Sequence, residues 1–313
     1  MPLPRVSKRS GIGAAIIGLL LAAGGWFLMG PRPLPSSALT PGYRADLANG
    51  RTMFVMGNCV ACHAGPTAEN PDMLGGGKLL STSFGEFVVP NISSDPAFGI
   101  GSWSELEFVN AMKRGVGRNG EHLYPAFPYT SYSFMQTKDV RDLYAYLKTL
   151  PGVGGALPAH RLKFPFANRF LIGAWKLLYF RPQEFSYDET RPASWNRGNY
   201  LVTGAAHCGE CHTPRNALGA PREDLRFSGA PAAEQGGRFA GNITPHADGI
   251  GDWSAADIAN FLKSGTDKCY NDPSGMAEVI ASTSQAVESD LDAMAEYLKS
   301  LPAIAGNKAH KSC

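Results

Sequence analysis

Charge is sparse in this sequence, and its two signs nearly cancel. The 313 residues hold 29 Lys and Arg against 27 Asp and Glu, a formal net charge of +2. No long basic run is present, which argues against a nucleic-acid partner. Cysteine is also scarce, at six residues. Four fall in two tight clusters, and Cys269 and Cys313 are left over in a context that does not decide between pairing and free thiols. Turn formers are plentiful at 23 Pro and 36 Gly, so much of the chain should be loop. Hydrophobic content of 44% is ordinary for a globular chain. The length leaves room for two domains of roughly 100–200 residues, each with its own core.

One long uncharged stretch exists. "MPLPRVSKRS" carries Arg5, Lys8 and Arg9, and "GIGAAIIGLLLAAGGWFLMG" then runs from 11 to 30 without a charge. At about 1.5 Å rise per residue such a run matches a hydrocarbon core of about 30 Å. Basic residues ahead of it hold the N-terminus in the cytoplasm and send the remainder outward. "LAAGG" offers small residues to a signal protease, but the run is long for a signal sequence and continues through Trp26, Phe27, Leu28 and Met29. We read 1–30 as a basic N-terminus and uncleaved anchor; cleavage would export the bulk of the chain equally.

Beyond this segment the chain repeats itself. "NISSDPAFGIGSWSELEFVNAMKRG" (91–115) is copied as "NITPHADGIGDWSAADIANFLKSG" (242–265), and "TKDVRDLYAYLKTLP" (137–151) as "ESDLDAMAEYLKSLP" (288–302). Each copy reads as a small helical domain. A first helix spans 44–58 or 196–206. A Gly/Pro-rich stretch with little periodicity follows it. Trp103-Ser104 and Trp253-Ser254 then open a second helix, with the serine or its predecessor as N-cap and Glu107 or Asp257 early in the first turn. A last helix starts near Asp139 or Asp290 and stops at Leu-Pro, since proline cannot continue the ladder. Between the copies, 153–194 reads as a linker whose "FANRFLIGAWKLLYF" is apolar and helical. It is either a connector packed on one domain or a surface for another subunit or the membrane.

The first helix of each copy leads into "GNCVACHAG" (57–65) or "AHCGECHTP" (206–214). Cys-x-x-Cys-His is the attachment sequence of a c-type haem: two thiols add across the haem vinyl groups as thioethers, and the adjacent histidine reaches the iron. Cys59, Cys62, Cys208 and Cys211 are the attachment thiols on this reading, with His63 and His212 as proximal ligands. A thioredoxin-like dithiol would need a strand–helix context and no second copy. A four-thiolate zinc site would join halves of two separate units and leave both histidines unexplained. A disulfide within Cys-x-x-Cys closes too small a loop to stabilise much.

Electron transfer calls for a sixth iron ligand, and methionine in that position raises the potential. Met276 in "NDPSGMAEVIASTS" is the choice for the second haem, since Met294 follows the packing pattern of the last helix. Alignment on that helix sets Phe127 in the corresponding slot of the first copy, where it cannot bind iron. Met135 in "YSFMQT" is the choice there, with His122, Met112, Met73 and an open position as alternatives. Trp103 and Trp253 suit packing or a propionate contact. Asn91 and Asn242 suit turns near the haem. His160, His207, His246 and His310 belong to no constellation.

The stretch "PNIS…GIGSWSELEFVNAMKRGVGRNGEHLYPAFPYTSY", then "DVRDLYAYLKTLP", "FPF" in the linker, "WNRGNYLVTGAAHCGECHTPRN", "GNITP" and "GMAEVI", resembles the cytochrome c subunits of bacterial membrane-bound dehydrogenases. The resemblance covers roughly residues 30–303. It implies a mainly α fold of two tandem cytochrome c domains, 42–152 and 195–303, after an N-terminal transmembrane helix and before a tail at 304–313. It also implies two covalently bound haem c groups. The expected role is a relay of single electrons from a periplasm-facing quinoprotein, flavoprotein or molybdenum dehydrogenase subunit to a quinone, another cytochrome or an oxidase. The haem domains would then lie in the periplasm, anchored in the inner membrane. That family commonly has three haem domains where this chain has two, which favours a downstream cytochrome or oxidase over direct quinone reduction. A dihaem peroxidase or thiosulfate-oxidising cytochrome is the enzymatic alternative, kept open by Phe127. A haem-based sensor lacks support, because no signalling segment is legible.

Overall fold

A computed structural model describes residues 20, 23–66, 68, 70–231, 239–266 and 274–307. Most of the uncharged N-terminal run, with Cys269 and Cys313, therefore lies outside the described residues. Among the described residues no helix is long and apolar enough to cross a membrane.

Each repeat builds the same helical frame. In the first, α1 (Leu47–Met56) precedes a motif helix, α2 (Cys59–His63). Asp46 caps α1, its side chain accepting hydrogen bonds from the backbone N–H of Ala48 and Asn49 at 2.9 and 3.1 Å. A hairpin of β1 (Leu79–Thr82) and β2 (Gly85–Val88) follows, in antiparallel register Leu79↔Val88 through Thr82↔Gly85. Then come α3 (Glu105–Arg114), α4 (Tyr129–Tyr132) and α5 (Thr137–Leu147). A third short strand, β3 (Arg161–Leu162), pairs antiparallel with β2. In the linker, α6 covers Phe170–Tyr179.

The second repeat uses α7 (Ala193–Tyr200), which passes into a π turn at Leu201–Ala205. The motif helix α8 (Gly209–His212), α9 (Ala255–Ser264), α10 (Ala277–Thr283) and α11 (Glu288–Lys299) complete it. The serine starts read from the sequence are present. Ser104 with Glu107 and Ser254 with Asp257 form capping boxes on α3 and α9, satisfying donors at both helix starts. The last helices end at Leu147 and Lys299, a few residues short of the Leu-Pro pairs.

In each repeat the first and last helices cross at a glycine. A Cβ on Gly50 would lie 2.2 Å from the Asp142 carbonyl oxygen, and one on Gly198 would lie 1.9 Å from that of Ala293. Neither site has room for a methyl group, so backbone meets backbone there. Buried side chains from both repeats, among them Met53, Val109, Leu143, Leu201, Ile258 and Leu291, form one continuous apolar cluster.

The linker holds both repeats, where the connector reading foresaw one. The backbone N–H of Val88 donates to His160 Nδ1 at 3.1 Å, and Lys176 donates to the carbonyls of Arg114 and Gly115 at the end of α3, each at 2.7 Å. Trp175 donates from its indole to the Leu218 carbonyl in the second repeat at 2.9 Å.

Gly50→Ala and Gly198→Ala should each lower stability by about 1–3 kcal/mol, the usual cost of overpacking. Urea unfolding of the two variants checks this, and wild-type midpoints would contradict the close crossings.

Candidate functional site

The motif helices α2 and α8 are short; α2 begins just after Asn58, in the left-handed region at φ 48°, and α8 two residues after His207, at φ 41°. That local reversal lets the chain turn from the long helix into the motif within one residue. His63 and His212 then make matching contacts. His63 Nδ1 lies 2.8 Å from the Pro90 carbonyl oxygen, and His212 Nδ1 lies 2.6 Å from that of Gly241. A carbonyl only accepts, so Nδ1 carries the proton in both rings and Nε2 is the nitrogen with a lone pair. Burial holds His63 down to about 4, only partly offset by the Pro90 bond, and burial lowers His212 as well. Both rings are neutral at pH 7. A neutral imidazole whose tautomer is fixed by a carbonyl is what a metal ligand requires.

The carbonyls are themselves held in place. Pro90 and Gly241 precede Asn91 and Asn242. Asn91 donates to the Val153 carbonyl at 2.6 Å and accepts from the Ser93 N–H at 2.9 Å. Asn242 does the same with the Ile304 carbonyl at 2.7 Å and the Thr244 N–H at 2.8 Å. The turns expected at these asparagines are present, and they tie each acceptor to the segment after the last helix.

The thiols are not poised as nucleophiles. Burial pushes Cys59 up to about 12, with the neighbouring Cys62 adding to the rise, and Cys208 is pushed up to about 12 by burial and then Cys211. A reactive dithiol has a depressed value instead, and no strand leads into either motif. Among the described residues no three His, Cys, Asp or Glu side chains converge to hold a metal ion, so the four thiols do not form a joint site. Two separated sets, each of two thiols and one aimed imidazole, fit covalent haem c.

The two motifs face each other across the repeats. Glu210, between the cysteines of the second motif, accepts from Thr130 Oγ1 and Ser131 Oγ of α4, each at 2.6 Å, and from Arg215 at 2.5 Å. Burial raises its carboxyl, but the Arg215 charge and the two hydroxyls outweigh that and the net direction is down. On the other side, Lys78 donates to the Ala61 carbonyl of the first motif at 2.7 Å and pairs with Glu278 of α10 at 2.6 Å. Each motif is thus clamped to the helix before the last one of the opposite repeat. Sequence reasoning missed both clamps, because neither partner is near the other along the chain.

The expected distal residues sit in that same zone. Met276 is half-buried at the N-cap of α10. Met135 is 1% exposed, its carbonyl accepts from Lys113, and its Cγ would be 3.5 Å from a Cβ on Gly204 in the π turn. Phe127, in the slot matching Met276, meets the Tyr132 ring at a tilt of 56° with centroids 5.6 Å apart. Met112 belongs to the core of α3 and Met73 is a half-buried loop residue. The Nε2 of His122 is bonded to the Met29 carbonyl at 2.7 Å, so that ring docks the N-terminal segment.

The comparisons agree with this geometry. A cytochrome c family model matches residues 47–151. The chain is similar to a "Diheme cytochrome c-type" protein of Cereibacter sphaeroides, 43% identical over 93% of this chain and 97% of that protein. It is similar to the fructose dehydrogenase cytochrome subunit of Gluconobacter japonicus, 36% identical over 91% of this chain and 58% of that protein. The cytochrome c subunit of a quinone alcohol dehydrogenase from Gluconacetobacter polyoxogenes is 35% identical over 87% of this chain and 60% of its own length. The chain therefore spans a little under two thirds of these two dehydrogenase subunits.

Glu210→Gln should cost about 1–3 kcal/mol, as expected when a buried charged group loses a hydrogen-bonded partner. Thermal unfolding followed by circular dichroism checks this; an unchanged transition would mean the clamp contributes nothing.

Proposed function

The chain belongs to the family of cytochrome c subunits of bacterial membrane-bound dehydrogenases, and from that premise we propose that it is a dihaem relay for single electrons. The observation that carries the reading is the pair of imidazoles, each with Nδ1 bonded to a backbone carbonyl and Nε2 left for iron. Haem c, when bound, supplies the one-electron couple. Cys59, Cys62, Cys208 and Cys211 would hold the two groups by thioether bonds, and His63 and His212 would bind the irons through Nε2. Met276 would be the further iron ligand for the second haem and Met135 for the first. A relay needs no catalytic side chain.

The relatives named as cytochrome subunits of alcohol, fructose and gluconate dehydrogenases support a dehydrogenase subunit as electron donor. A quinone, a further cytochrome or an oxidase would receive the electrons. For location we propose the inner membrane, with the helical repeats in the periplasm. The basic start and uncharged run over 11–30 support this, as do exposed apolar side chains at the described end of that run. Trp26 stacks on Phe170 of α6 with centroids 4.4 Å apart. Trp26, Phe27 and Leu28, and Leu171 and Leu178 of α6, are all exposed.

Protein made alongside haem-ligation machinery should show two haems per chain by pyridine haemochrome. Cys59→Ser with Cys62→Ser should leave one, and Met276→His should lower one midpoint potential while sparing the other. Met135→Leu should lower the other. A wild-type chain without covalent haem would refute the relay, and unmoved potentials would refute the corresponding distal assignment.

A further inference from the structure

His207 has no counterpart ligand and no place in the Cys-x-x-Cys-His chemistry, yet it stands directly before Cys208 in a conformation that bulky residues rarely adopt. Its counterpart before Cys59 is Asn58, also left-handed. Both residues reach across to the opposite repeat. The Asn58 side chain accepts from Ser282 Oγ of α10 at 2.7 Å. The His207 ring meets the Tyr132 ring of α4 edge-on, with centroids 5.4 Å apart and planes at 61°.

Gly57 is where these groups converge. A Cβ placed there would lie 3.3 Å from Cys59 Sγ and 3.7 Å from the Tyr132 hydroxyl. Tyr132 therefore stands between His207, the residue before one attachment cysteine, and Gly57, two residues before the other.

We infer that His207 is a positioning residue that, with Tyr132, locks the two attachment loops together and so fixes the placement of the two haem sites relative to each other. The inference rests on reading both motifs as haem-attachment sites. It explains why an imidazole is kept at a left-handed position, where glycine or asparagine would cost less.

The test uses the full chain with haem attached. His207→Gly removes the side chain and keeps the left-handed backbone without strain. His207→Asn keeps tolerance of that backbone, as Asn58 does, but removes the ring that meets Tyr132. The readouts are haems per chain, the Soret-region circular dichroism couplet between the two chromophores, and the separation of their midpoint potentials. Wild type should show a couplet. His207→Gly should keep two haems and lose at least half of its amplitude, and His207→Asn and Tyr132→Leu should do the same. A wild-type couplet in His207→Gly, or no couplet in a wild type with two haems, overturns the inference and leaves the haem reading intact. If His207→Gly fails to assemble, Tyr132→Leu with a wild-type couplet overturns it. Fewer than two haems in the wild type overturns the reading beneath it.

Discussion

Two hydrogen bonds, from the Nδ1 of His63 to Pro90 and from the Nδ1 of His212 to Gly241, set the chemistry of this molecule. Each fixes a tautomer, and each fixes a ring plane. Their acceptors lie in turns that Asn91 and Asn242 brace against the chain after the last helix, so ring orientation is coupled to the closing of each repeat. Loss of that bracing would free the imidazole to rotate. The neutral state of the rings follows from burial, which disfavours imidazolium more than one carbonyl bond favours it.

The repeats are more than two copies on a string. Each motif touches the helix before the last helix of its neighbour, through Glu210 on one side and Lys78 with Glu278 on the other. Tyr200 adds a further link by donating to Asp139 of the first repeat. Such reciprocal contacts resemble an isologous interface, in which one patch serves both partners, although here both lie on one chain. The duplicated sequence has diverged at these contacts: alanine faces glutamate between the cysteines, and asparagine faces histidine before them. The contacts are asymmetric in chemistry and symmetric in position.

Much of this was legible in the sequence because it depends on local signals. Ser104 and Ser254 announce their helices through side-chain capping three residues long, and the Cys-x-x-Cys-His spacing states its chemistry within five positions. The hairpin of β1 and β2 was not legible, since four-residue strands leave no periodicity to detect. The span of α6 was readable as apolar, but its hold on both repeats rests on Lys176 and Trp175 meeting carbonyls far away in the chain. Glu210 and His207 carried no signal at all: each acts on residues about 75 or more positions distant, and only folding brings them together. Phe127 disturbed the repeat at the one position where the second copy offers Met276, so the first distal site could not be read by analogy.

The central claim is that both proximal rings present Nε2 because Nδ1–H is bound to a backbone carbonyl. Nitrogen-15 NMR of the reduced, haem-loaded protein tests it most directly. The account predicts two histidine rings with slowly exchanging Nδ1–H protons, scalar-coupled across hydrogen bonds to the carbonyl carbons of Pro90 and Gly241. Iron bound through Nδ1, or Nδ1–H protons exchanging freely with solvent, would contradict it.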